Sequence, residues 1–105
     1  MINKHTTIKI GNTTYKLSFN FGVIKQMQNR IQGLKVEDIF KGVENQDYNI
    51  ITDLLYLGIK FNHPNFDIKE VDSLGVDDIE EVFNAIARVF NIALPTTEVD
   101  EEEKN

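Results

Sequence analysis

Residues 48–61 form the segment that most constrains how this chain can fold. The segment reads YNIITDLLYLGIKF, and its large apolar side chains would fall on nearly every side of a helix. A helix without a polar face is stable only when other elements surround it. Asp47 offers a capping carboxylate at its start. In a chain of 105 residues, which suits one domain, this helix is predicted to lie at the centre.

The N-terminal region predicts a β-hairpin. Apolar and polar residues alternate over residues 6–10 and again over residues 15–19, which is the period of a strand. Gly11-Asn12 between them suits a tight turn. One face would carry Ile8, Ile10, Tyr15, Leu17 and Phe19, and the other would carry Lys9, Lys16 and Ser18. Because a lone hairpin is marginal in water, the apolar face is predicted to rest on helices.

Four further helices are predicted from apolar spacing and capping residues. In chain order they are a helix from the Asn20 cap to Gln32, a short helix over residues 36–43, a short helix from Asp67 to Gly75, and a last helix from the Asp77 cap to Leu94. The first is predicted to turn Phe21, Ile24, Met27 and Ile31 inward. Gly42 is predicted to break the second. The predicted fold class is therefore α+β, an N-terminal β-hairpin packed on about four to five α-helices.

The last helix carries a wider apolar stripe than one core face needs. Part of the stripe is therefore predicted to meet a partner protein. The residues assigned to that contact are Phe83, Ile86, Phe90 and Leu94. At least one of the first three is expected to face solvent. Core packing alone is the alternative.

Charge divides the chain into two parts. The first 35 residues contain six bases and no acid, whereas residues 36–105 contain 17 acids and five bases. Such an asymmetry creates a dipolar field that suits contacts between copies, although chance and an acidic tail would also produce it. The residues assigned to self-association are Lys9, Lys16, Lys25, Arg30, Asp78 and Glu81. Bulk nucleic-acid binding is disfavoured because the net charge of −6 repels phosphate.

Residues 95–105 are predicted to be a disordered acidic tail beyond a single domain of residues 1–94. Pro95 closes the folded part, and residues 96–105 hold five acids, one lysine and a single aliphatic residue, Val99. This composition has too little apolar surface to repay the entropy of ordering. No apolar run approaches the roughly 20 residues of a membrane span, so a cytoplasmic protein is expected.

No catalytic residue, cofactor site or metal site is predicted. The chain has no cysteine, and neither His5 nor His63 stands at ligand spacing from other metal-binding residues, so both are expected to be exposed. No glycine-rich phosphate motif is present, and the acid pairs are explained as helix caps. An enzyme is therefore not expected. A deep pocket that holds two carboxylates with raised pKa values would revive that alternative.

Three segments share the patterns of one known protein family. IKIGNTTYKLSFNF at residues 8–21 is similar to an I-x-I-N-G-K-x-Y-x-L-x-F hairpin that leads into an F-x-x-I-x-x-L helix, matched by Phe21, Ile24 and Met27. DLLYLG at residues 53–58 and DIEEVF at residues 78–83 are similar to two later helices of that family. These segments resemble the tail assembly chaperones of long-tailed phages of Gram-positive hosts. The resemblance covers about residues 6–94.

The resemblance implies a non-enzymatic chaperone without a cofactor. Such a protein binds the tape measure protein, keeps it soluble and helps tail tube subunits polymerise around it. It would act in the host cytoplasm during phage assembly, or be made from a prophage, and be absent from the mature virion. Contacts between copies are a further expectation, because an extended client offers repeated sites.

The last three residues allow an inference about translation. The family often makes a longer form by ribosomal frameshifting, and Glu103-Lys104-Asn105 can be encoded GAA-AAA-AAC, which contains the slippery run A-AAA-AAC. The acidic tail would then link to an extra domain that recruits tail tube protein. An acidic, AT-rich gene end could also produce this run by chance.

An acidic inhibitor that mimics DNA and blocks a host nuclease is the alternative function, alongside other small protein-binding modules. Carboxylates distributed from Glu37 to Glu103 suit a DNA mimic, but the acid-free first 35 residues do not. Pull-down with tape measure protein, compared with pull-down with a host nuclease, would separate the two functions.

Overall fold

A hairpin and five α-helices make up residues 5–93, the part of the chain that a computed structural model describes. The elements are β1 (Thr6–Ile10), β2 (Thr13–Leu17), α1 (Phe21–Arg30), α2 (Val36–Glu44), α3 (Tyr48–Lys60), α4 (Ile68–Asp72), a 3₁₀ turn (Val76–Asp78) and α5 (Ile79–Ala93). The two strands pair antiparallel. The predicted α+β class and the N-terminal hairpin are confirmed.

Helix α3 lies at the centre of the fold, as predicted. Seven of its 13 residues are buried, and it contacts β2, α1, α2 and α4. Leu54 and Ile59 have no exposed surface. The Asp47 side chain accepts a hydrogen bond from the N–H of Asn49 at 3.1 Å and so caps the first turn. Four of the other elements therefore pack against this largely apolar helix.

The hairpin has the predicted faces but a shifted second strand. Ile8, Ile10 and Leu17 are buried, whereas the lysines between them are exposed. The turn at Gly11, where φ is +63°, places Ile10 opposite Thr13. The second strand therefore begins and ends two residues earlier than residues 15–19, because a two-residue turn starts the pairing immediately after it.

Ser18 lies in the core and not on the solvent face, contrary to the prediction. Beyond the end of β2, its N–H donates to the carbonyl oxygen of Gly58 at 3.0 Å. Its hydroxyl oxygen accepts from Asn62 Nδ2 at 2.9 Å. A Cβ at Gly58 would lie 2.6 Å from both the Ser18 carbonyl oxygen and Leu17 Cδ1. Glycine thus allows the backbone of the hairpin to approach α3.

The prediction that Phe21 faces the core is wrong. Asn20 caps α1 as predicted, since its Oδ1 accepts from the N–H of Val23 at 3.0 Å. The buried residues of α1 are Val23 and Met27, one turn apart. Phe21 lies about 200° around the helix from Val23, and its side chain is 77% exposed. The spacing of Phe21, Ile24 and Met27 was consistent with a core face. Tertiary contacts instead bury the face of α1 that carries Val23 and Met27.

Two predicted helix boundaries are also wrong. Gly42 does not break α2 but is buried within it, where an added Cβ would lie 2.5 Å from Ile50 Cδ1 on α3. Before α5, the capping carboxylate is Asp78 and not Asp77, because Asp78 Oδ2 accepts from the N–H of Gly75 at 2.9 Å. Val76 is thereby placed on the 3₁₀ turn that precedes α5.

Two further sequence predictions concern the ends of the chain and the membrane. Leu94 and the predicted tail at residues 95–105 lie outside the described residues. Within residues 5–93, no helix is both long and apolar enough to cross a membrane.

Candidate functional site

An apolar groove lies where α3 and α4 meet the 3₁₀ turn and the start of α5. It has a volume of about 180 Å³. Its lining includes Tyr48, Leu55, Leu74, Val76, Ile79 and Phe83. Val76 and Tyr48 are 83% and 48% exposed. None of the described residues that line this apolar groove is charged. An uncharged groove with exposed apolar side chains is typical of a surface that binds another protein.

Three of the four residues predicted to contact a partner are described, and these three do not form one surface. Phe83 is half-buried and lines the apolar groove. Phe90 is also half-buried, but its ring centroid lies 5.0 Å from that of Phe19 and 4.6 Å from that of Phe40, in an aromatic cluster. Ile86 is only 1% exposed and belongs to the core, and Leu94 is not among the described residues. Of the three described residues, Phe83 alone lines the apolar groove.

The width of the apolar stripe on α5 explains this distribution. The middle of the stripe, which includes Val82, Ile86 and Val89, is buried in the core, and α5 packs against β1. Phe83 and Phe90, two helical turns apart, lie at one margin of the stripe and keep part of their surface in solvent. A stripe wider than the core contact therefore leaves one margin, and not its centre, partly exposed.

Tyr48 and Val76 were not predicted to belong to the site. Tyr48 is the first residue of α3, and Val76 stands between Gly75 and Asp77. An isolated valine in a polar turn was a weak signal for an exposed apolar contact. Only the tertiary structure shows that the two side chains line the same groove.

A second groove, the basic groove, lies between α1 and α3 and has a volume of about 410 Å³. Its lining includes Gly22, Gln26, Arg30, Tyr56, Lys60 and Phe61. The Arg30 guanidinium and the Lys60 ammonium lie 5.4 and 5.2 Å from the ring centroid of Tyr56. Lys60 Nζ also donates to the Tyr56 hydroxyl at 3.1 Å. These contacts hold two cations beside one aromatic ring.

The four bases assigned to self-association do not form one surface. Lys9 and Lys16 lie on the exposed face of the hairpin. Lys25 lies on α1 with its Nζ 6.0 Å from the ring centroid of Phe21, and it is not among the residues that line the basic groove. Arg30 lines that groove and forms an ion pair with Asp53, whose Oδ1 is 3.1 Å from Arg30 Nε. Arg30 therefore already has an intramolecular carboxylate partner.

The two acids assigned to self-association also have intramolecular contacts. Asp78 accepts the hydrogen bond from the N–H of Gly75 that begins the 3₁₀ turn. Glu81 Oε2 lies 3.6 Å from Arg88 Nη2 in an exposed pair. An exposed pair of this kind contributes little to stability, so Glu81 can exchange its partner more easily than Asp78 can.

The Arg30–Asp53 pair should respond differently to the loss of each partner. The side chains are 43% and 12% exposed respectively. Arg30→Met leaves a mostly buried carboxylate without its cation and is expected to lower the free energy of unfolding by about 1–2 kcal/mol. Asp53→Asn keeps an acceptor and leaves a guanidinium that reaches water, so a loss of about 0.5 kcal/mol is expected. Denaturant unfolding followed by circular dichroism measures both.

The exposed Glu81–Arg88 pair provides the control for that comparison. Glu81→Gln is expected to change the free energy of unfolding by less than about 0.5 kcal/mol, because solvent screens both groups. If Asp53→Asn destabilises the domain more than Arg30→Met does, the assignment of the buried member of the pair is wrong.

His63 is half-buried and has a structural contact, so the prediction that it is exposed is wrong. Its Nε2 accepts from the N–H of Lys16 at 3.0 Å, and its ring packs edge-on against Tyr15 with centroids 5.3 Å apart. His5 is half-buried as well. His63 thus fixes β2 to the loop between α3 and α4. Among the described residues, no group of three or more His, Cys, Asp or Glu side chains could hold a metal ion.

Comparisons of the chain with models of protein families, with curated proteins and with solved structures found no match. The apolar groove and the basic groove are therefore the features of the described chain from which a function is inferred.

Proposed function

We propose that this protein is a phage tail assembly chaperone that binds the tape measure protein, keeps it soluble and helps the tail tube to polymerise during tail morphogenesis. The observation that carries the proposal is the uncharged groove with Tyr48 and Val76 exposed at its rim. The resemblance of residues 6–94 to such chaperones supports the same function. A binding role of this kind needs no catalytic group.

The shape and chemistry of the apolar groove suit an amphipathic helix. Such a helix places apolar side chains three and four residues apart along one face. Half-buried Phe83 and Leu74 offer apolar contact surface within the groove, and the exposed side chains of Val76 and Tyr48 extend that surface. A tape measure protein is long and helical, so it would present such faces repeatedly.

Acidic residues accompany the apolar groove in sequence and predict the charge of its client. Asp72, Asp77 and Glu80 are exposed and alternate with the residues that line the groove between Val71 and Phe83. Opposite charges at the rim of an interface favour one orientation and speed association. The client helix is therefore expected to carry lysine or arginine beside its apolar face.

The other proposed partners follow from the same role. Copies of this chain would associate along an extended client, and tail tube protein would be recruited by a longer, frameshifted form. The protein would act in the host cytoplasm during phage assembly, or be made from a prophage, and would be absent from the finished virion.

Co-expression with the candidate client tests the proposal. The client is the product of a very long open reading frame immediately downstream of this gene. Expressed alone, it is expected to be largely insoluble, and with this protein it should become soluble and co-purify. If the client remains insoluble and this protein instead inhibits a host nuclease, the alternative function is the correct one, namely an acidic inhibitor that mimics DNA.

A further inference from the structure

The basic groove differs from the apolar groove in chemistry. Lys60 has no carboxylate partner among the described residues, since the ion pairs there join Arg30 to Asp53 and Arg88 to Glu81. The Arg30 side chain is 43% exposed, and Phe61, which also lines the groove, is 56% exposed. A surface with these two cations beside exposed aromatic rings suits a peptide that combines carboxylates with an occasional aliphatic side chain.

One segment of this chain has that composition. Residues 96–105, which lie outside the described part, contain five acids, one lysine and Val99, for a net charge of −4. The carboxylates would complement Lys60 and the exposed part of Arg30. Val99 would supply the aliphatic contact to the exposed Phe61 ring.

The end of α5 lies close enough for this segment to reach the basic groove. In the last turn of α5, Phe90 packs against Phe19 with ring centroids 5.0 Å apart. Phe19 precedes Gly22, which lines the groove, by only three residues. An extended chain covers about 3.3–3.6 Å per residue, so the segment can span about 35 Å. The ten-residue helix α1 is only about 15 Å long.

We propose that the acidic C-terminal segment, residues 96–105, docks in the basic groove of its own copy. A tethered segment has an effective concentration in the millimolar range, which favours its own groove over that of a second copy. The groove is then a docking site for acidic peptides, and an acidic segment of another protein must displace the tail to bind there. This proposal does not depend on the client of the apolar groove.

A nitroxide label at residue 105 tests the proposal. Because the chain has no cysteine, Asn105→Cys provides a single labelling site. Paramagnetic broadening of backbone amides is expected at Gly22, Gln26, Lys60 and Phe61. The broadening should be unchanged when this protein, which carries both the nitroxide and the isotope, is diluted with protein that carries neither. About 0.5 M NaCl, at which the Debye length is only about 4 Å, should weaken it.

Two sets of variants establish the role of charge. Lys60→Glu should reduce the broadening at the groove about twofold or more. Lys69→Glu makes the same change in net charge elsewhere and should leave the broadening unchanged. Replacement of Glu101, Glu102 and Glu103 by glutamine should also reduce it, and this variant leaves the folded residues intact.

Three results would overturn the proposal. The first is broadening spread evenly over the surface or centred on the hairpin lysines. The second is broadening of the groove that disappears on isotopic dilution, since the contact would then join two copies. The third is an equal effect of the groove variant and its control.

Discussion

Gly58→Ala is expected to lower the free energy of unfolding by about 2–3 kcal/mol, in the range of overpacked cores. The new Cβ would lie 2.6 Å from the carbonyl oxygen of Ser18 and 2.6 Å from Leu17 Cδ1. Leu17 can change its rotamer, but the Ser18 backbone cannot move freely because its N–H is bonded to the Gly58 carbonyl. The end of β2 must therefore separate from α3, and this cost exceeds the gain of about 1 kcal/mol in helix propensity.

Gly22→Ala is the matched control for the change at Gly58. Gly22 is also helical, but the nearest atoms to its added Cβ are Asn20 Oδ1 at 3.4 Å and Phe61 Cε1 at 3.5 Å. These are ordinary contacts, so the variant is expected to be neutral or up to about 1 kcal/mol more stable than the wild type. Urea unfolding followed by circular dichroism gives both values. A Gly58→Ala domain as stable as the wild type would contradict the close approach of hairpin and helix.

The second large effect concerns the apolar groove. Tyr48→Glu combined with Val76→Glu is expected to weaken binding of the client helix about 100-fold or more, because both carboxylates would be desolvated against its apolar face. The side chains are 48% and 83% exposed, so the free energy of unfolding should change by less than about 1 kcal/mol. Isothermal titration of the variant with the client peptide measures the loss of affinity.

Phe21→Glu provides the control for the groove variant. Phe21 is a large apolar residue that is 77% exposed, but it is not among the residues that line the apolar groove. This substitution is expected to leave client binding within about twofold of the wild type. An equal loss of affinity in both variants would mean that exposed apolar surface in general, and not the apolar groove, binds the client.

The central helix and the hairpin faces could be predicted because few alternatives existed for them. Residues 48–61 carry large apolar side chains on nearly every side, so a central, largely buried helix was the outcome most consistent with their composition. The alternation in the hairpin leaves one arrangement that buries Ile8, Ile10 and Leu17 together. In both the helix and the hairpin, the local sequence pattern and the tertiary packing require the same side chains to be buried.

Glycine roles and helix faces depended on contacts that a sequence does not contain. In the sequence alone, Gly42 is typical of a helix break. Its role in the close packing of α2 against α3 becomes evident only from its contact with Ile50. Phe21 and Val23 both begin rows of apolar residues, and the position of α3 determines which row is buried. The same applies to the apolar groove, because Val76 joins it only through the placement of the 3₁₀ turn.

The binding of a tape measure helix in the apolar groove is tested most directly by an NMR titration. A synthetic peptide with the sequence of an amphipathic, basic helix from the client is added to isotope-labelled protein. Amide shifts are expected to cluster at Tyr48, Thr52, Leu74, Val76 and Phe83, and to be absent in the Tyr48→Glu, Val76→Glu variant. No binding, or shifts centred on the basic groove or the hairpin with the apolar groove unchanged, would contradict the proposed function of that groove.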